Sequence, residues 1–229
     1  MRLAELLDIR PGVTAVAGGG GKTTLLRTLG EELAAGGAQV LLCATTKIFP
    51  FEGLPNLTDP TEEALAEALD SRRLVCAGTP VPGTEKLTAP SIPMARLAAL
   101  ADYVLAEADG SAGRPLKAHA PHEPVIPPGA NQVLYMMGAS GFGRPVREAV
   151  HRPERFCLLT GLEPEALVTP EAAAEALRAE APAWGAPIRI FVNQAEDAAA
   201  MAAARRLAEL LPWPVCAGAL KRRNWTCLS

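Results

Sequence analysis

The chain has 229 residues, 49% hydrophobic and 21% charged, with 22 Lys and Arg against 25 Asp and Glu for a formal net charge of −3. This is the composition of a folded globular protein and excludes a disordered polyelectrolyte. A net acidic chain is a poor general nucleic-acid binder, and no stretch approaches the ~20 apolar residues of a membrane span. Five cysteines (Cys43, Cys76, Cys157, Cys216, Cys227) are odd in number and form no C-x-x-C pair, which suits a reducing compartment. The first residues carry Glu5, Asp8 and Arg10 and no apolar core, a poor signal peptide. The expected location is cytoplasmic, without membrane or nucleic-acid partners.

Short apolar runs at 13–17, 39–44, 74–77, 103–108, 132–137, 188–192 and 215–217 read as buried strands. Between them, 22–35 carries Leu25, Leu26, Leu29 and Leu33 at helical spacing. A second helix is expected over 61–69 behind a Thr61 cap, another from Thr169-Pro170-Glu171, and a fourth over 198–211 before Pro212. Strands alternating with helices predict an α/β fold, a mostly parallel sheet with helices on both faces, like a P-loop NTPase. The length fits one such domain over 1–229, with Pro-rich loop excursions at about 78–93 and 114–130. Ligands of such sheets sit beyond the carboxyl ends of the strands, so the residues following each strand carry the functional reading.

After the first strand stands Gly18-Gly19-Gly20-Gly21-Lys22-Thr23-Thr24. A glycine run there lets the backbone wrap a phosphate, and the next helix turns its positive end on the same anion. Lys22 is expected on the terminal phosphates and the Thr23 hydroxyl on Mg²⁺. The usual G-x-x-x-x-G-K-[ST] spacing requires glycine at position 16, which is Val16. The shorter G-x-x-G-K-T-T resembles the loop of Mur ligases and folylpolyglutamate synthases. The bland alternative is a glycine turn closing a β–α unit.

The strand at 103–108 ends in Glu107-Ala108-Asp109-Gly110. With a period of two, Glu107 and Asp109 face the same way. Asp109 is expected to hold Mg²⁺ through water; Glu107 either does so instead or orients an attacking water. Helix capping is the alternative. Ser111, Arg114, Lys117, His119, His122 and Glu123 then follow on a Gly/Pro-constrained loop, an expected anion or substrate clamp. H-x-x-H alone is a weak metal signal, and flanking prolines argue against one helical face. Thr45, Thr46 and Lys47 follow the second strand toward the same phosphates, and His151 precedes a helix start at Pro153. Asn193-Gln194-Ala195-Glu196 stands where GTPases carry N-K-x-D, but Gln and Glu replace Lys and Asp, so ATP is expected ahead of GTP. Lys221-Arg222-Arg223 reads as a solvated tail.

Together, the glycine loop, Thr45-Thr46-Lys47-Ile48-Phe49-Pro50, the string from Glu107 to Lys117, His122-Glu123-Pro124-Val125-Ile126-Pro127 and His151-Arg152-Pro153-Glu154 resemble the YqeC family. The resemblance implies an NTP-binding accessory protein for selenium-dependent molybdenum hydroxylases. Its partners would be such a hydroxylase or the proteins that mature its cofactor. His119 and Gln194 depart from the residues that relatives carry there, Pro and Lys. A slow Mg²⁺-dependent NTPase is the reading that results. A ligase or kinase acting on a small acceptor, and a nucleotide-switched binding module without turnover, remain its rivals.

Overall fold

Why the apolar runs become strands is visible in their burial: residues on both faces of most runs are buried, which a covered sheet accommodates. The computed structural model describes all residues, Met1–Ser229. In chain order the strands are β1 (Gly12–Gly18), β2 (Val40–Ala44), β3 (Asn56–Thr58), β4 (Leu74–Pro80), β5 (Leu87–Thr88), β6 (Tyr103–Glu107), β7 (Leu116–Lys117), β8 (Ala130–Gly138), β9 (Val150–His151), β10 (Ile188–Asn193), β11 (Val215–Ala219) and β12 (Asn224–Cys227). The helices are α1 (Leu3–Leu6), α2 (Lys22–Ala35), α3 (Glu62–Arg72), α4 (Met94–Leu100), α5 (Val146–Ala149), α6 (Pro153–Thr160), α7 (Pro170–Glu180) and α8 (Ala198–Leu210). No helix is long and apolar enough to cross a membrane.

The residues fall into two compact units that interleave along the chain. The first comprises Met1–Val16, Leu25–Gly110 and Val125–Gln132; the second comprises Ala17–Thr24, Ser111–Pro124 and Val133–Ser229. Strand pairing is mostly parallel, as an α/β fold requires. In the first unit the order is β1-β6-β2-β4-β3, all parallel, with β5 antiparallel on β4. Its core gathers Val13, Leu41, Val75 and Val104 from the strands with Leu65 and Leu69 of α3 and Leu97 of α4. Thr61 caps α3, its hydroxyl accepting from Ala64 N at 3.2 Å, as the sequence predicts.

In the second unit β8, β10 and β11 run parallel, and β12 closes the edge antiparallel to β11. Its helices carry clear start signals. Thr169 caps α7, with Pro170 at the first position, and Asp197 caps α8, accepting from Ala200 N at 2.8 Å. Lys221, Arg222 and Arg223 are exposed, as expected of a solvated segment, but the chain there is ordered. Residues 220–222 form one 3₁₀ turn, and the chain then adds β12, paired antiparallel with β11 and with mostly exposed side chains.

Candidate functional site

The glycine loop is built as the sequence predicts, between β1 and α2, and the second unit's own backbone fixes it. Gly19 N donates to Met136 O at 3.0 Å and Gly20 N donates to Arg114 O at 3.2 Å. Gly18 and Gly20 have φ of +95° and +79°. A Cβ at Gly18 would meet the Met136 carbonyl, and one at Gly20 the backbone of Gly138. Glycine is therefore demanded by close backbone approach as well as by positive φ. Lys22 opens α2 with only 4% of its surface exposed, and its ammonium donates to Gly18 O at 2.6 Å. A cation thus lies across the loop at the helix's positive end, the arrangement that receives an anion. Thr23 is exposed and Thr24 half-buried on the same turn.

Asn193, at the end of β10, ties this loop down. Its Nδ2 donates to Gly20 O at 2.7 Å, and its Oδ1 accepts from Leu220 N at 3.1 Å. Beside it opens a cavity of about 500 Å³, lined by Gly20, Gly21 and Thr24 together with Gly113, Pro115, Ser140, Arg144, Asn193, Gln194, Glu196 and Lys221. Ser140 and Arg144 escaped the sequence reading. The signal that locates them is Gly138-Ala139-Ser140-Gly141 directly after β8, a glycine-rich turn at a strand's carboxyl end.

The expected clamp residues are placed differently from one another. The Arg114 guanidinium donates to the Glu148 carbonyl. Lys117 is buried, with Nζ 3.1 Å from Glu123, and Arg152 approaches the same carboxylate through two nitrogens at 3.0 and 2.9 Å. Burial opposes the ionisation of Glu123, yet the Arg152 hydrogen bonds and the Lys117 charge outweigh it and bring the carboxyl to about 2. His119, also buried, shares 2.7 Å with Glu180 and packs edge-on against Trp184. His151 sits on β9 opposite Lys117, Ser111 is half-buried and His122 is exposed. Lys117 and Arg152 thus meet on one carboxylate. No group of three or more His, Cys, Asp or Glu is placed to share an ion.

The acidic string lies in the first unit. Glu107 ends β6 in register with Val16 of β1 on one side and Ala44 of β2 on the other. It is 7% exposed, and Asp109 is wholly buried. Ala108 between them donates to Val16 O at 2.8 Å and accepts from Val125 N at 2.9 Å. Thr45 Oγ1 donates to Val125 O at 2.7 Å, while Lys47 is exposed. The acids therefore stand at the carboxyl end of their sheet, where α/β ligands gather.

A family model described as YqeC protein matches residues 14–154. That stretch includes the glycine loop, Glu107, Asp109, Arg114, Lys117, His122 and His151, but not Asn193, Gln194, Glu196 or Lys221. The chain is also 39% identical over 172 residues to "Uncharacterized protein YqeC" of Escherichia coli (strain K12). The alignment covers 69% of this chain and 64% of that relative, so the chain spans just under two thirds of the relative's length.

Proposed function

Because the chain belongs to the YqeC family, we propose that it is a nucleotide-binding accessory protein that serves a selenium-dependent molybdenum hydroxylase. It binds ATP or GTP with Mg²⁺ and hydrolyses it slowly. One observation carries the nucleotide reading: the glycine loop opening α2 with the Lys22 ammonium drawn across it on Gly18 O. The hydroxylase reading rests on the family resemblance alone.

The chain's residues divide the work by their chemistry. Gly18, Gly19, Gly20 and Gly21 allow close backbone approach, and the helix end and Lys22 balance phosphate charge. The proposed counter-ion is Mg²⁺, with Thr23 as its ligand on α2. Glu107 and Asp109, in the first unit, are proposed for it on residue type and strand-end position. When bound, the ion supplies charge neutralisation at the phosphates. Slow turnover follows from the placement of the nearby cations. Arg114 is engaged with the Glu148 carbonyl and Lys117 with Glu123. Charge stabilisation worth roughly 10³–10⁵ in rate in other P-loop proteins is then left to a docking partner. The same placement favours, as a second reading, a nucleotide switch without physiological turnover.

Calorimetric titration of ATP and GTP, with and without Mg²⁺, tests the proposal. Expected is saturable Mg²⁺-dependent binding that Lys22→Ala weakens by about tenfold or more, at least ~1.4 kcal/mol. Absence of binding at millimolar nucleotide overturns it.

A further inference from the structure

The cavity beside the glycine loop has a polar wall that the phosphate reading leaves unused. Three segments that follow strand ends build it: Ser140 after β8, Gln194 and Glu196 after β10, and Lys221 after β11. Its volume of about 500 Å³ suits a small-molecule site.

The hydrogen-bonding character of each wall residue is fixed. Asn193 has both ends of its amide on the backbone, at Gly20 O and Leu220 N, so it positions the loop rather than reads a ligand. Gln194 sits at φ +63°, and its Oε1 accepts from Ser140 Oγ at 2.6 Å. With that oxygen held, the carboxamide offers its Nε2, a donor. Lys221 offers donors only, and ionised Glu196 accepts only. One Glu196 oxygen pairs with the exposed Arg222 at 2.7 Å, and the other is left to face a ligand's donors.

We infer that this wall selects guanine over adenine as the base of the bound nucleotide, through Glu196 with Gln194 and Lys221. The inference rests on the nucleotide reading above and reverses the order of preference expected from the sequence. Guanine presents along one edge an acceptor, O6, and then two parallel donors, N1–H and N2–H. A carboxylate takes two parallel donors at once in charge-assisted bonds, and an amide or ammonium N–H takes O6. Adenine presents a single donor, N6, beside an acceptor, N1. Against Glu196 it gains one hydrogen bond and sets lone pair against lone pair, and it leaves a wall donor without O6 to meet. A site built to bond a group rejects the analogue that lacks it.

Titration calorimetry with GTP, ITP and ATP on wild type, Glu196→Ala and Lys22→Ala tests the inference. Glu196 is exposed, so its truncation spares the fold. Expected for wild type is GTP about tenfold or more tighter than ATP, with ITP, which lacks the N2 amino group, between them. In Glu196→Ala the GTP-to-ATP ratio falls to about threefold or less. ATP as tight as GTP in wild type, or a GTP preference that survives Glu196→Ala, overturns the inference. If both nucleotides bind alike and both weaken in Lys22→Ala, the base assignment falls while the phosphate reading stands. If no nucleotide binds, both fall.

Discussion

Asn193→Ala removes the side chain that joins the glycine loop to the start of the 220–222 turn. The residue is 7% exposed and makes two hydrogen bonds, at 2.7 Å to Gly20 O and 3.1 Å from Leu220 N. Each buried polar group left without its partner costs about 1–3 kcal/mol. Gly20 lines the cavity, where water replaces the lost donor, so the Gly20 carbonyl belongs at the lower end of that range. Leu220 is 3% exposed, and its N–H belongs at the upper end. The sum is about 2–4 kcal/mol by the same rule. Asn193→Asp keeps the acceptor for Leu220 but sets a carboxylate oxygen against the Gly20 carbonyl, so its loss is comparable and shrinks as the aspartate is protonated. Urea unfolding reads both, with Asp197→Ala as a control that removes only an exposed helix cap, costing about 1 kcal/mol. A loss below about 0.5 kcal/mol in Asn193→Ala, within the scatter of ordinary surface substitutions, would refute the tie.

Three further outcomes are expected. Gly20→Ala, at φ +79° with its Cβ driven into Gly138, destabilises by more than Gly37→Ala, where φ is +93° and nothing lies within 4 Å. Strain alone accounts for about 1–2 kcal/mol at the second site, and equal losses in thermal unfolding would show the loop packing to be wrong. Glu123 titrates at about 2 in the folded chain against an ordinary 4.5. Its contribution is present above about 4.5 and lost as pH falls toward 2, so wild type loses stability across that window more steeply than Glu123→Gln; parallel curves contradict the Lys117–Glu123–Arg152 assignment. Cys216 of β11 lies directly opposite Cys227 of β12 with the sulfurs 3.6 Å apart, so a mild thiol oxidant links this pair in peptide mapping. Burial, then the Cys227 neighbour, pushes the Cys216 thiol up to about 12, so the link forms faster at alkaline pH, and a link to any other cysteine contradicts the register.

How much of this was legible in the sequence depends on how local the signal is. The run at 22–35 coincides with α2, and 188–192 falls within β10, because apolar spacing in each is set by burial of that segment itself. β3 and β12 escaped because both are edge strands held by backbone pairing, with largely exposed or half-buried side chains that carry no pattern. α4 escaped because it is short and buries only Leu97. The glycine loop was readable since its chemistry is contiguous. The surroundings of Lys117 and His119 were not, because His119 meets Glu180 from 61 residues away and Arg152 meets Glu123 from 29 away. The sequence around Asn193 compares with a base-reading motif, but the role of Asn193 itself is not local: both ends of its amide bond backbone, at Gly20 and Leu220.

The most direct test of the glycine loop as a triphosphate cradle is a crystal structure with a non-hydrolysable triphosphate and Mn²⁺ located by anomalous scattering. Expected is phosphate density enclosed by residues 18–24, with Lys22 Nζ shifted from Gly18 O to a phosphate oxygen and the metal at the Thr23 hydroxyl. A nucleotide bound elsewhere, with Lys22 still on Gly18 O, would contradict it.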